Sequence, residues 1–190
     1  MNFPVNPLVG HETIIDGEIL EHLAGAGLCE LVEGRIVPMT PTGWEHGRLE
    51  RRVALALQRF IDEQGSLVEV LVGEVGIYTR RRPDTVRAAD VVLISRERLA
   101  TNAKHSRFLT VAPELVIEIL SPDDRATDVT QKVLEYLEAG ATAVCLIDPP
   151  ARRVRVHRKR EGMVELTDAD TLALPDLLPG FSHPVARLFD

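Results

Sequence analysis

Residues 113–149 read "PELVIEILSPDDRATDVTQKVLEYLEAGATAVCLIDP". Two apolar runs, "LVIEIL" and "ATAVCLID", bracket a segment with helical spacing. In that segment Val129, Val133, Leu134 and Leu137 share one face and Gly140 stands just past the end. Strands joined by a helix favour a mixed sheet with helices on its faces, the α/β class. The first run holds an anomaly, because Glu118 sits inside it with β-type neighbours on both sides. A buried, unpaired carboxylate is costly, so it neutralises, pairs or binds a cation.

Working outward, "ADVVLIS" before this stretch reads as a buried strand, and Arg96–Thr110 as a short helix and a loop. "SLVEVLVGEVGIYTR" suggests one or two strands, followed by a loop at "RRRPDTVRA". Further back, Thr42 is placed to cap a long helix with apolar face Leu49, Val53, Leu57, Phe60 and Ile61, stopped by Gly65. "LCELVEGRIVPMTP" reads as two short strands around a Glu33-Gly34 turn. "TIIDGEILEHLAGAG" reads as a helix ending at Gly25 and Gly27. Beyond residue 149, "RRVRVHRK" and "GMVELTD" form a hairpin, and the tail is loop plus a short closing element. Residues 1–12 read as an extended N-terminal arm. With no repeat, low-complexity segment or dividing linker, one domain over 1–190 is expected.

Composition narrows the classes. Apolar content of 45% supports a real core, and no run approaches the length of a membrane span. The N-terminal residues lack the charged start and apolar stretch of a secretory signal. The two cysteines, Cys29 and Cys145, lie in apolar stretches and read as reduced core residues of a cytoplasmic protein. A net charge of −7 argues against nucleic acid coating the whole surface, but positive charge clusters at "GRLERR", "YTRRRPDTVR" and "ARRVRVHRKR". There is no phosphate-cradling glycine loop, no Gly-x-Ser-x-Gly elbow, no paired-cysteine zinc site and no His-x-x-x-His pair.

What remains is a set of carboxylates and a lysine. Asp90 opens one buried strand, Glu118 lies in the next, and Lys132 is on the following helix, four residues before Tyr136 and on the same face. Carboxylates on adjacent strands can hold Mg²⁺, which takes one or two protein carboxylates and keeps several waters. A nearby lysine can orient a metal-bound water or stabilise charge developing on phosphate. Read singly, Asp90 is a turn or cap residue and Lys132 a solvated helix lysine, while for Glu118 a functional role and an edge-strand or ion-paired one stay equally open.

The blocks "CELVEGRIVPMTPTGWEH", "AADVVLIS", "PELVIEILSPDD" and "KVLEYLEAGATAVCLIDP" together resemble the Uma-type restriction-endonuclease family, a branch of the PD-(D/E)XK nuclease superfamily. The resemblance runs from about residue 13 to the end. It implies a restriction-endonuclease-like core with a central mixed β-sheet flanked by α-helices. It also implies Asp90 and Glu118 as metal ligands and Lys132 as the catalytic lysine. The superfamily lysine two residues after the glutamate would fall on Leu120; the resemblance implies instead a lysine on the following helix, a position that Lys132 matches. Ala89 stands where a proline normally precedes the aspartate. Glu33, His46 and Tyr136 match further positions near the site, for which structural roles stay open.

The implied activity is Mg²⁺-dependent hydrolysis of DNA phosphodiester bonds, with Mn²⁺ able to substitute. Arg80, Arg81, Arg82, Arg152, Arg153 and Arg155 are candidates for the DNA backbone. Two other readings stay open: a catalytically silent nucleic-acid- or partner-binding module on the same fold, and a metal-dependent hydrolase of another phosphate ester. A homodimer would suit cutting two strands, though no residue demonstrates one.

Overall fold

The computed structural model describes residues 14–23 and 27–190. The expected arm at 1–12 and the expected helix end at Gly25 lie outside them. The first helix, α1 (Gly17–His22), is capped by the Asp16 carboxylate on the Ile19 N–H and ends at His22, before either glycine. Strands β1 (Cys29–Val32) and β2 (Arg35–Pro38) form a hairpin through Glu33 and Gly34, both at positive φ, as a two-residue turn requires.

The long helix α2 spans Trp44–Gln64. Its N-cap is Gly43 with no side-chain cap, so Thr42 does not take the role its position suggested. Gly65 closes it in the left-handed conformation. Strand β3 (Val68–Arg80) is one long strand whose register against β4 shifts twice, at a bulge between Val72 and Val75 and again between Tyr78 and Arg80. Strand β4 (Thr85–Ser95) starts four residues earlier than "ADVVLIS", so only the 81–84 segment of the expected loop is a turn. Then follow α3 (Arg96–Ala100), β5 (Leu115–Ile119), α4 (Ala126–Ala139) and β6 (Ala143–Asp148). The chain closes with β7 (Arg153–Arg158), β8 (Gly162–Leu166), β9 (Thr171–Ala173), β10 (Ser182–Pro184) and α5 (Ala186–Phe189).

Among the described residues, eight strands make one mixed sheet in the order β2-β1-β4-β5-β6-β7-β8, with β3 paired along β4. Of these strands only β5 and β6 run parallel, because α4 crosses between them; the other described neighbours are antiparallel. Period-two alternation splits β4 and β5 between two layers. Val91, Leu93, Leu115 and Ile117 pack under α2 with the C-terminal elements, while Val92, Ile94 and Val116 pack under α4. On α4 the buried residues are Val133, Tyr136 and Leu137; Leu134, expected on that face, is exposed. Among the described residues no helix is long and apolar enough to cross a membrane.

The alternation slips at one place. Ala89 belongs to the α4-side core and Val91 to the α2-side core, and Asp90 lies between them. The β3 bulge is opposite: Val72 pairs with Val91, but Val75 pairs with Ala89, leaving Gly73 and Glu74 across from Asp90 at positive φ. Bulges re-aim side chains in this way. The β4–β5 ladder also ends here, at Val91↔Ile117.

Candidate active site

Past the last rung of that ladder, the Asp90 carboxylate takes the place of a strand carbonyl. Its Oδ2 accepts the Ile119 N–H at 2.6 Å, and its Oδ1 faces His46 Nε2 at 2.9 Å. Asp90 is thus a buried mid-strand residue rather than a turn or cap residue. That hydrogen bond, opposed by burial, holds the His46 pKa above its ordinary value. His46 comes from the first turns of α2, so one carboxylate ties helix, β4 and β5 together.

Glu118 projects from β5 toward α4. Its Oε1 accepts the Tyr136 hydroxyl at 2.7 Å and its Oε2 lies 3.3 Å from Lys132 Nζ. Tyr136 and Lys132 sit one turn apart on α4, which lets both reach the same carboxylate. β5 is flanked by β4 and β6, so Glu118 is not an edge-strand residue. Burial pushes its pKa up to about 7, with Lys132 opposing the rise and the Asp90 charge adding to it. Burial likewise raises the Tyr136 phenol well above its usual value, with Glu118 adding to the rise.

Lys132 is no solvated helix lysine. Its side chain is only 20% exposed, and its ammonium meets Glu30 Oε1 at 3.0 Å, Glu118 at 3.3 Å and the Ala88 carbonyl at 3.4 Å. Burial works against the charge, but Glu118 and Glu30 outweigh it and hold the pKa above the ordinary lysine value. Glu30 escaped the sequence reading. It accepts the Ala88 N–H at 3.0 Å and an Arg87 N–H at 2.8 Å, and Arg87 is also bonded by Glu135 at 2.6 Å. Burial raises the Glu30 pKa, yet Lys132 and Arg87 bring it below its usual value.

Glu33, the acidic residue expected here, is elsewhere. It occupies the β1–β2 turn, 62% exposed and bonded to Arg80 at 2.7 Å. Strand pairing decides between the two glutamates: Glu30 is inside β1 and points inward, while Glu33 lies past its end. The backbone-binding candidates are also largely engaged. Arg81 pairs with Asp84, Arg152 with Asp168 and Asp190, Arg153 with Glu165, and Arg155 with Asp148 and Glu165. Arg82 lines a separate surface pocket beside Asp84. None of these six arginines lines the cleft that holds Asp90, Glu118 and Lys132.

That cleft measures about 750 Å³ and runs between the 37–43 and 121–124 segments. It is acidic: Glu30, Glu74, Asp90, Glu118, Asp123, Asp124 and Asp128 line it, against Arg87, Lys132 and His46. Burial raises the pKa of Glu74 and also of Glu50 on α2, and the Asp90 charge adds to both. Among the described residues, no three His, Cys, Asp or Glu side chains converge as a ready-made metal cage. A cation here would draw on the two strand carboxylates and water, a donor set that suits Mg²⁺. The hard oxygen ligands and excess negative charge fit that ion.

The mixed eight-stranded sheet flanked by helices has the nuclease-like fold of a solved structure. It superposes with TM-score 0.77 on the crystal structure of "a putative nuclease belonging to DUF820 from Anabaena variabilis ATCC 29413", at 21% identity. The match covers 91% of this chain and 96% of that one, and the likeness is one of fold. The chain belongs to the Uma2 family, described as "Putative restriction endonuclease", whose profile matches residues 14–186. No curated protein matches the sequence at a significant level.

Proposed function

We propose that this chain is a divalent-cation-dependent phosphodiesterase acting on DNA, with Mg²⁺ as its cation and Mn²⁺ able to substitute. One observation carries the reading. Asp90, Glu118 and Lys132 come from three elements yet converge on one cleft, with Asp90 bonded to the amide just after Glu118 and Lys132 bonded to Glu118 itself. Asp90 and Glu118 would hold the cation. When bound, it would polarise the scissile phosphate and favour ionisation of a water.

The chain's own groups define the rest. His46 and the Ile119 amide orient Asp90, so its ligand geometry is set before substrate arrives. Lys132, kept protonated by two carboxylates, acts as a fixed positive charge beside the phosphate and not as a proton acceptor. Its shorter contact is to Glu30 and its longer one to Glu118, so the lysine stays tethered when Glu118 turns to a cation. The acidic lining repels a polyanion, which makes a cation a condition of substrate entry as well as of chemistry.

The test is plasmid nicking under single-turnover conditions with Mg²⁺ or Mn²⁺, comparing the wild type with Glu118→Gln. A metal-dependent wild-type rate that falls about a hundredfold or more in the variant is the expected result. No wild-type cleavage of any nucleic acid, despite metal binding, would leave the catalytically silent module. Hydrolysis of a small phosphodiester that DNA fails to inhibit would point to another phosphate ester as substrate.

A further inference from the structure

We infer that the outer face of α2 binds single-stranded nucleic acid, with Trp44 as a base-stacking platform and Arg48, Arg51 and Arg52 as phosphate contacts. The inference rests on the nuclease reading above. Trp44 is the only tryptophan in the chain. At 75% exposure it is also the most exposed large apolar side chain among the described residues.

The helix arranges its surroundings. Trp44, Arg48, Arg51, Arg52, Leu55 and Arg59 fall within about 100° of arc on α2, opposite the buried stripe Leu49, Val53, Leu57 and Ile61. The Arg48 guanidinium lies 5.7 Å from the centre of the Trp44 ring and donates to the Phe189 carbonyl at 3.3 Å. Arg52 donates to the Arg187 carbonyl at 3.4 Å. Among the described residues, none of Arg48, Arg51, Arg52 and Arg59 is in an ion pair, in contrast to the engaged arginines of the 80–82 and 152–155 runs.

An arginine-rich stripe whose guanidinia are held in no ion pair is a local attractor for anions on a chain of net charge −7. Its position gives it a use. The inner side of the same first turns, Gly43 and His46, lines the candidate active-site cleft. A strand tracking the outer face would therefore lead to the reacting carboxylates, with Trp44 taking a base that flanks the scissile phosphate. Every unpaired base offers a π-face to an indole, and a guanidinium beside it can take the adjoining phosphate. In a duplex those faces are stacked away, which is why the surface fits a single strand.

Trp44 is its own reporter, so the test is intrinsic fluorescence in a chelator, where nothing is cleaved. Three probes are compared: a short oligodeoxythymidine, its abasic counterpart of equal length, and its duplex with oligodeoxyadenosine. Saturable quenching by the single strand, with far less from the other two, is expected. By anisotropy, Trp44→Ala should bind about tenfold more weakly, while Trp44→Phe, which keeps a π-face, should stay within a few-fold of wild type. Arg51→Ala should flatten the slope of log affinity against log salt by about 0.7. Three results would overturn the inference: no quenching by the single strand, equal quenching by the abasic chain, or an emission shift driven by protein concentration alone, which would mark a contact between two copies. Cleavage of DNA with Trp44 unquenched would sink this surface and spare the nuclease reading. Quenching without cleavage under any metal would do the reverse.

Discussion

Glu118 is a buried carboxylate whose partners, Lys132 and Tyr136, do not fully offset its desolvation, and that imbalance has a measurable sign. Its folded pKa is raised to about 7 from an ordinary 4.5, so the folded state binds the extra proton between those two values. Stability from this group is therefore fully present below pH 4.5 and is lost as pH rises through 7. Glutamine imitates the protonated form. In metal-free buffer, Glu118→Gln should gain stability relative to wild type across that window, on the order of 2–3 kcal/mol at its upper end. Urea midpoints of both proteins at several pH values measure it; a difference that stays flat with pH would show that Glu118 does not titrate there. Lys132 is the complementary case. Removing it strands Glu30 and Glu118 without their shared cation, so Lys132→Ala should cost on the order of 2 kcal/mol, limited because Glu118 can take up a proton. Adding Glu118→Gln to Lys132→Ala should recover part of the loss, and strict additivity of the two changes would argue against their contact.

Elements show where local sequence signals suffice and where they stop. The order β4, β5, α4, β6 follows from periodicity alone, because each apolar run is buried by neighbours of its own kind. The start of β4 was hidden for the opposite reason. "DTVRA" looks like loop, yet Arg87 is buried by Glu30 and Glu135, residues 57 and 48 positions away in the chain. Glu30 and Glu33 carry the same local signal, and only the register of β1 separates the inward glutamate from the turn one. Asp90, Glu118 and Lys132 were legible because each breaks or borders a strong apolar pattern. An arginine's freedom is not written in its neighbours, so the 80–82 and 152–155 runs looked as available as those of α2. The β3 edge supplies a test at this scale. Leu109 donates to the Gly76 carbonyl at 2.8 Å and accepts from Tyr78 N–H at 2.9 Å, which lays the Phe108 ring directly over Gly76. A Cβ there would drive into that ring, so Gly76→Ala should destabilise by about 2 kcal/mol. Pairing it with Phe108→Ala removes the collision, and the double variant should cost clearly less than the sum of the two singles. An additive result would mean that the loop does not press on β3.

Across the whole molecule, negative charge is concentrated where the chemistry is proposed, and arginines held in no ion pair among the described residues lie on the far side of α2. The net charge of −7 would let any salt stabilise the fold a little by screening. The cleft carboxylates should respond to divalent cations well beyond that. A ligand that binds only the folded state stabilises it by about 2.7 kcal/mol at a hundredfold excess over its dissociation constant. Thermal melts across millimolar Mg²⁺ should therefore climb with concentration in wild type, and NaCl at matched ionic strength supplies the screening baseline. Asp90→Asn and Glu118→Gln should each remove most of the excess over that baseline, because each takes away one of the two proposed protein ligands. Ca²⁺ should raise the melting temperature as well while supporting little cleavage, which separates cation binding from catalysis. Matching curves for Mg²⁺ and NaCl would eliminate the cation site, and with it the proposed chemistry. A Mg²⁺ response that survives in both variants would place the cation elsewhere, with Glu74, Asp123, Asp124 and Asp128 among the other cleft carboxylates the next ligands to substitute.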